Sequence, residues 1–194
     1  MDPLLIDVPE RIDTPRLVLR CPRAGDGAAL NAAVCVSIDE LRPWMPWAQA
    51  APTPSESEAW CRRMAARFML REELTLLILE RGADGSEAEL VGCCGLHHID
   101  WSVPCFEIGY WRRTGRGGCG FVTEAVQALD RLAFGQLGAR RIEIRMDARN
   151  VCSVRVAERA GFAFEGVLQS NAVAPDGSPR DTRVHARLRG AGPT

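Results

Sequence analysis

Apolar positions in this chain follow two rhythms, and where one gives way to the other the elements can be read. Alternating or nearly continuous apolar runs read as strands at residues 14–20, 74–80, 89–97, 105–111, 140–146, 162–168 and 182–188. Spacings of three and four read as helices at residues 26–36, 53–71, 122–133 and 148–160. The second helix carries a start signal: Thr53 as cap, Pro54 in the first turn, then Glu56 and Glu58 at the positive end of the dipole. Gly161 reads as the residue that ends the last helix. Turn residues fill 81–86, 100–104 and 175–179. Three strands from 74 to 111 follow one another without a helix, which predicts an antiparallel meander. The expected class is α/β in the mixed (α+β) sense. One unit spans 1–194, with 1–11 and 189–194 as flexible tails and no internal repeat.

Residues 115–120 (Gly-Arg-Gly-Gly-Cys-Gly) sit between a strand and a helix. Glycine lets backbone approach a ligand closely, and a helix start offers unpaired N–H groups and the positive dipole end. Together these suit an anion, usually a phosphate. The competing reading is a glycine-rich surface turn that caps a helix. Gly115, Gly117 and Gly120 also fit the dinucleotide fingerprint, which would make an NAD-dependent enzyme. Against this, that fingerprint opens a parallel βαβ unit near a domain start, with an acidic residue about 20 residues on. Here antiparallel strands come first, and Asp147 lies too late.

Composition narrows the field. Apolar content of 46%, charged content of 25% and a net charge of −1 give no general pull toward nucleic acid or membrane. No apolar run reaches the roughly 18–20 residues of a membrane span. Asp2, Asp7 and Glu10 argue against a signal peptide. The eight cysteines form no C-x-x-C pair and mostly lie among apolar residues, so they read as reduced core residues of a cytoplasmic protein, with no metal framework. There is no lysine, which excludes a Schiff-base lysine and a phosphate-binding P-loop. Residues 41–47 hold two prolines with Trp44 and Trp47, and read either as a plug over the core or as a wall of a substrate site.

Four stretches, in this order, resemble the GNAT acetyltransferases, and within them the RimJ/RimL-like ribosomal-protein N-terminal acetyltransferases. They are Thr-Pro-Arg-Leu at 14–17, the Leu-to-Trp loop at 41–47, Glu-Ile-Gly-Tyr-Trp with the glycine loop at 107–125, and the block from Asn150 to Gly166. The resemblance implies a mixed, mostly antiparallel twisted sheet of about seven strands with about four helices. Its fourth and fifth strands, here 105–111 and 140–146, would splay apart around the acyl-pantetheine arm of acetyl-CoA. It implies that the glycine loop binds the coenzyme pyrophosphate through backbone N–H groups from Arg116 to Phe121, across Gly117, Gly118, Cys119 and Gly120. The loop pattern opens on Arg or Gln in the family, whereas Gly115 stands there here. Arg113 or Arg116 could take its place.

By the same resemblance, N–H groups of Ile108, Gly109, Tyr110 and Trp111 would polarise the thioester carbonyl. Many members carry an acid tyrosine seven residues after the asparagine, but that position is Ala157, and Tyr110 is the single tyrosine. In the RimL-like group the candidate is the serine three residues after the asparagine, here Ser153, with a helix-start role as the alternative. Asn150 would cap that helix, bind the pantetheine, or both. Glu107 is the candidate base, against a salt-bridged sheet position. His97 and His98 could share the role, and neighbouring strand residues face opposite ways, so at most one should face the cleft. With Trp44 and Trp47 they are the candidates for the acceptor side. An α-amine has a pKa near ~8 and a lysine amine near ~10.4, so a site without a strong base favours a protein N-terminus over a side chain.

The expected activity is acetyl transfer from acetyl-CoA to a primary amine by direct attack in a ternary complex. The amine belongs to a small molecule or a protein N-terminus, and a homodimer would fit the group. The rival of another class is a member that binds acyl-CoA or a partner without turnover, which Ala157 and Gly115 would also fit.

Overall fold

An eight-stranded sheet runs through the computed structural model, which describes residues 2–190. Its strands are β1 (Arg11–Asp13), β2 (Leu17–Arg20), β3 (Leu74–Arg81), β4 (Glu87–Asp100), β5 (Cys105–Arg112), β6 (Arg141–Asp147), β7 (Ala163–Val173) and β8 (Pro179–Leu188). The helices are α1 (Gly27–Leu41), α2 (Pro54–Met69), α3 (Phe121–Gly135) and α4 (Val151–Arg159). The spatial order is β1-β2-β3-β4-β5-β6-β8-β7. Every pairing is antiparallel except β5 with β6, which is parallel. The expected mixed, mostly antiparallel sheet is therefore present. The extra strand is β1, whose three residues are too few to show an alternation; it exists because Ile12 pairs with Leu19 of β2.

Strand alternation sorts the core into two layers. Leu74, Leu76 and Ile78 of β3, Cys94 and Leu96 of β4, and Phe106 and Ile108 of β5 pack with α3 and α4. Leu77 and Leu79 of β3, Cys93 of β4 and Trp111 of β5 pack with α1 and Cys61 of α2. The helices supply apolar stripes to match: Leu30, Ala33 and Val34 on α1, and Ala125, Val126, Leu129 and Ala133 on α3.

Several boundaries moved for identifiable reasons. Helix α1 continues past 36 to Leu41, where Leu41 is buried and the Ser37 hydroxyl donates to the Ala33 carbonyl at 2.6 Å. The expected loop at 41–47 thus begins as helix and ends in a short 3-10 turn, Pro46–Gln49. Helix α2 has the expected Thr53 cap with a full capping box from Glu56, a feature that contributes about 1 kcal/mol. It stops at Met69 because Arg71 adopts a left-handed φ of 59° and donates from its guanidinium to the Phe68 and Ile6 carbonyls. Helix α4 starts at Val151, three residues later than expected.

Both ends contact the body of the fold where described. Residues 11–13 pair with β2, and Arg189 donates to the carbonyls of Ala139 and Phe134 at 2.7 and 2.6 Å. Met1 and 191–194 of those expected tails lie outside the described residues. The cysteines are free thiols, but only Cys61, Cys93 and Cys94 are buried, while Cys35, Cys119 and Cys152 are exposed. Among the described residues no helix is long and apolar enough to cross a membrane.

Candidate active site

Strands β5 and β6 share only three paired positions, Cys105–Glu107 with Arg141–Glu143. Beyond them each keeps its outer neighbour, β5 as far as Arg112 against Gly92 and β6 as far as Asp147 against Thr182. They lose only each other, which opens the sheet along one line. A cavity of ≈ 1350 Å³ occupies that opening. Trp44, Trp47 and Trp60 line it from the α1/α2 side, and Tyr110, Val122 and Ser153 from the α3/α4 side. The cavity therefore reaches both faces of the sheet. It brings together Glu107, Ile108, Gly109, Tyr110, Trp111, Asn150, Ser153, His97, His98, Trp44 and Trp47. Both tryptophans line the cavity, and Trp47 is 51% exposed and meets Trp111 edge-on, with centroids 6.1 Å apart.

On the α1/α2 face, His97 of β4 pairs directly with Glu107 of β5. The His97 ring lies over two glycines: a Cβ on Gly109 would meet its Cδ2 at 2.9 Å and Nε2 at 3.0 Å, and one on Gly95 would meet Nε2 at 3.2 Å. Nδ1 of His97 contacts Glu73 Oε1 at 2.5 Å. A carboxylate only accepts, so Nδ1 carries a proton. The hydrogen bond from His97, ahead of that from Arg67, holds the Glu73 carboxyl down at about 2 against the opposing effect of burial. Burial instead pushes the Glu107 carboxyl above its ordinary value, with His98 and Arg145 pulling the other way.

The expectation that only one histidine faces the cleft does not hold. Register shifts between His97 and Asp100, and His98 takes a left-handed φ of 45°. This bulge breaks the alternation, so both rings line the cavity, with His98 Nε2 4.0 Å from Glu107.

On the α3/α4 face, Asn150 caps α4 by accepting from the Ser153 N–H at 3.1 Å. The Tyr110 hydroxyl lies 2.9 Å from Ser153 Oγ and 3.1 Å from the Ser153 carbonyl oxygen. Burial, only partly offset by the hydrogen bond with Ser153, pushes this phenol up to about 12. Ala157 is fully buried in the core.

The glycine loop lies outside the cavity wall. Gly115, Gly118 and Gly120 have φ of 83°, 79° and 77°, values that other residues rarely adopt. Gly120 begins α3 with no side-chain cap, which leaves the first N–H groups of the helix without a side-chain acceptor. Two of the motifs meet here. Glu124 accepts from the Thr14 hydroxyl at 2.7 Å and from Arg16 Nε at 2.7 Å, and Arg16 also donates to the Cys119 carbonyl at 2.8 Å. The same guanidinium lies 5.0 Å above the buried Phe121 ring. Arg113 and Arg116 both contact Glu89, and Arg116 also reaches Glu80 at 3.2 Å. Neither points into the cavity wall. Among the described residues no group of three or more His, Cys, Asp or Glu side chains could hold a metal ion.

The sheet parts between its parallel strand pair, and a glycine turn and an uncapped helix follow the first strand of that pair. The chain belongs to the GNAT family: the acetyltransferase (GNAT) domain matches residues 16–163. Among individual relatives, YdaF of Bacillus subtilis, provisionally named a ribosomal N-acetyltransferase, is 34% identical over 152 residues, 77% of this chain and 79% of that one. The match to the uncharacterized N-acetyltransferase p20 of Bacillus licheniformis is 36% identical over 81 residues, and there the chain spans about half of the relative's length, 46%. The solved structure of RimL, a ribosomal L7/L12 α-N-protein acetyltransferase in complex with coenzyme A, superposes with a TM-score of 0.83 at 23% identity, over 92% of this chain and 98% of that one.

Sequence reasoning missed Glu73, which precedes β3 and reaches His97 only through the pairing of β3 with β4. It also missed that Thr14, Arg16 and Glu124 form one network, although each lay in a motif it had marked.

Proposed function

We propose that this protein transfers the acetyl group of acetyl-CoA to the α-amine of a protein or peptide N-terminus. The observation that carries this reading is the single cavity open to both faces of the sheet where β5 and β6 part. Acetyl-CoA supplies the activated acetyl group from the α3/α4 side, and the amine enters from the α1/α2 side. The residues present fit the coenzyme: the uncapped start of α3 suits a pyrophosphate, and the β5 edge facing β6 has no strand partner beyond Glu107. The Arg113 N–H donates to the Val91 carbonyl on the β4 side, so alternation turns the N–H groups of Ile108 and Tyr110 to the free edge, where they stabilise the charge that develops on the thioester oxygen. YdaF and RimL are both named for ribosomal-protein targets, which supports a protein N-terminus as acceptor.

The proton accounting is simple. The amine nitrogen bonds the acetyl carbon, the carbon–sulfur bond breaks, the amine gives up one proton and the sulfur gains one. His97 Nε2 accepts a hydrogen bond from the incoming amine, and Glu107 takes the proton. Ser153 Oγ–H hydrogen-bonds the departing sulfur. Trp44, Trp47 and His98 shape the entry.

Calorimetric titration with acetyl-CoA, with NAD⁺ as control, followed by mass spectrometry of N-terminal peptides, lysine peptides and small amines, tests this. Expected are acetyl-CoA binding, no NAD⁺ binding and acetylated N-terminal peptides. Binding without any turnover favours the non-catalytic reading. Turnover confined to small amines overturns the protein acceptor.

A further inference from the structure

We infer that Tyr110 is a positioning residue that fixes the Ser153 hydroxyl at the sulfur side of the cleft. This rests on the acetyl transfer proposed above. Tyr110 stands on β5 and Ser153 in the first turn of α4, so their contact spans the opening between the two elements. Among the described residues no other side chain hydrogen-bonds Ser153 Oγ.

A phenol has one proton and here two acceptors within reach, the Ser153 carbonyl at 3.1 Å and Ser153 Oγ at 2.9 Å. If the phenol donates to the carbonyl, the serine proton is drawn to the phenol oxygen and away from the cleft. If it donates to Oγ, the serine proton is free to meet the sulfur. In both arrangements Oγ is held in one place rather than left as a free rotor. Moving the phenol proton from the one acceptor to the other releases the serine proton when negative charge builds on the sulfur.

Tyr110 keeps its own proton throughout. Its phenol is pushed up to about 12 by burial, whereas a thiol ordinarily titrates near ~8.5, so net proton loss from Tyr110 to sulfur is uphill. The amine proton taken by Glu107 leaves to solvent, and the departing sulfur, held by the Ser153 hydrogen bond, takes its proton from solvent, so the step balances without net proton loss from Ser153 or Tyr110. The tyrosine absent from position 157 is thus not replaced by an acid of equal strength. It is replaced by a two-residue arrangement assembled from opposite sides of the cleft.

The test is a double-mutant cycle on Tyr110→Phe and Ser153→Ala in the full chain, with kcat, the amine KM and acetyl-CoA affinity measured for each protein. Phenylalanine keeps the ring that packs on the core and removes only the hydroxyl. Expected are a kcat about tenfold lower for Tyr110→Phe and about a hundredfold lower for Ser153→Ala, with acetyl-CoA affinity unchanged. The double variant should be no slower than Ser153→Ala alone, since the phenol acts only through Ser153. A Tyr110→Phe enzyme at wild-type kcat, or losses that multiply in the double variant, overturns the inference while leaving the acetyl transfer intact. Acetyl-CoA binding without turnover by the wild type overturns both. If Tyr110→Phe lowers acetyl-CoA affinity and leaves kcat alone, the hydroxyl shapes the coenzyme site and the inference also fails.

Discussion

His97 and Glu107 occupy directly opposed positions on β4 and β5, on the face of the sheet that carries α1 and α2. Glu73 holds the Nδ1–H of the first, and burial pushes the carboxyl of the second above its ordinary value. A base works only when deprotonated, so a raised pKa moves the acid limb of the rate profile upward. The rate should fall, as pH falls, at a higher pH than an ordinary carboxylate would give. Glu107→Gln should lower kcat by about a hundredfold and abolish that limb, with acetyl-CoA affinity unchanged. Measurement of kcat against pH for both proteins checks this.

Gly109→Ala places a Cβ 2.9 Å from His97 Cδ2, closer than side chains tolerate. The ring must swing off β5 while remaining tied to Glu73. The expected outcome is an amine KM raised about tenfold, with acetyl-CoA binding intact, read by steady-state kinetics and calorimetry.

Glu73 offers a stability test with a defined sign. Its carboxyl sits at about 2 in the folded protein, below its ordinary 4.5. It therefore stabilises the fold fully above the unfolded value, and that contribution is lost as pH falls from about 4.5 toward about 2. Glu73→Gln should be less stable at neutral pH and should lose less further stability over that acid range, as measured by denaturant unfolding at each pH.

Arg16 holds the loop carbonyl of Cys119 and the side chain of Glu124 with one guanidinium. Arg16→Ala should weaken acetyl-CoA binding about tenfold by loosening the turn ahead of α3, whereas the melting temperature should move little because the side chain is half exposed. Glu124→Gln should show the same direction with a smaller effect. Calorimetry with acetyl-CoA, alongside thermal melts, separates the two.

The glycine loop, the meander and the cap at Thr53 were readable because each is a local signal: φ freedom, period two, a hydroxyl before proline. Ser153, Asn150 and Glu107 were also marked, since they lie at fixed offsets within motifs. Contacts between distant stretches could not be read. Glu73 reaches His97 only because β3 lies beside β4, and Tyr110 reaches Ser153 only because β6 turns away from β5. The same limit explains the histidines. Strict alternation sends His97 and His98 to opposite faces, and nothing local announces the bulge that brings both to the cavity.

The sheet acts as a partition with one slot in it. In the acetyl transfer proposed above, donor and acceptor approach from opposite sides and meet at the slot. On that reading a spent coenzyme need not block the departure of an acetylated chain end. On the same reading a bulky acceptor is no obstacle: it has only to offer its chain end to the cavity, while its body stays in solvent.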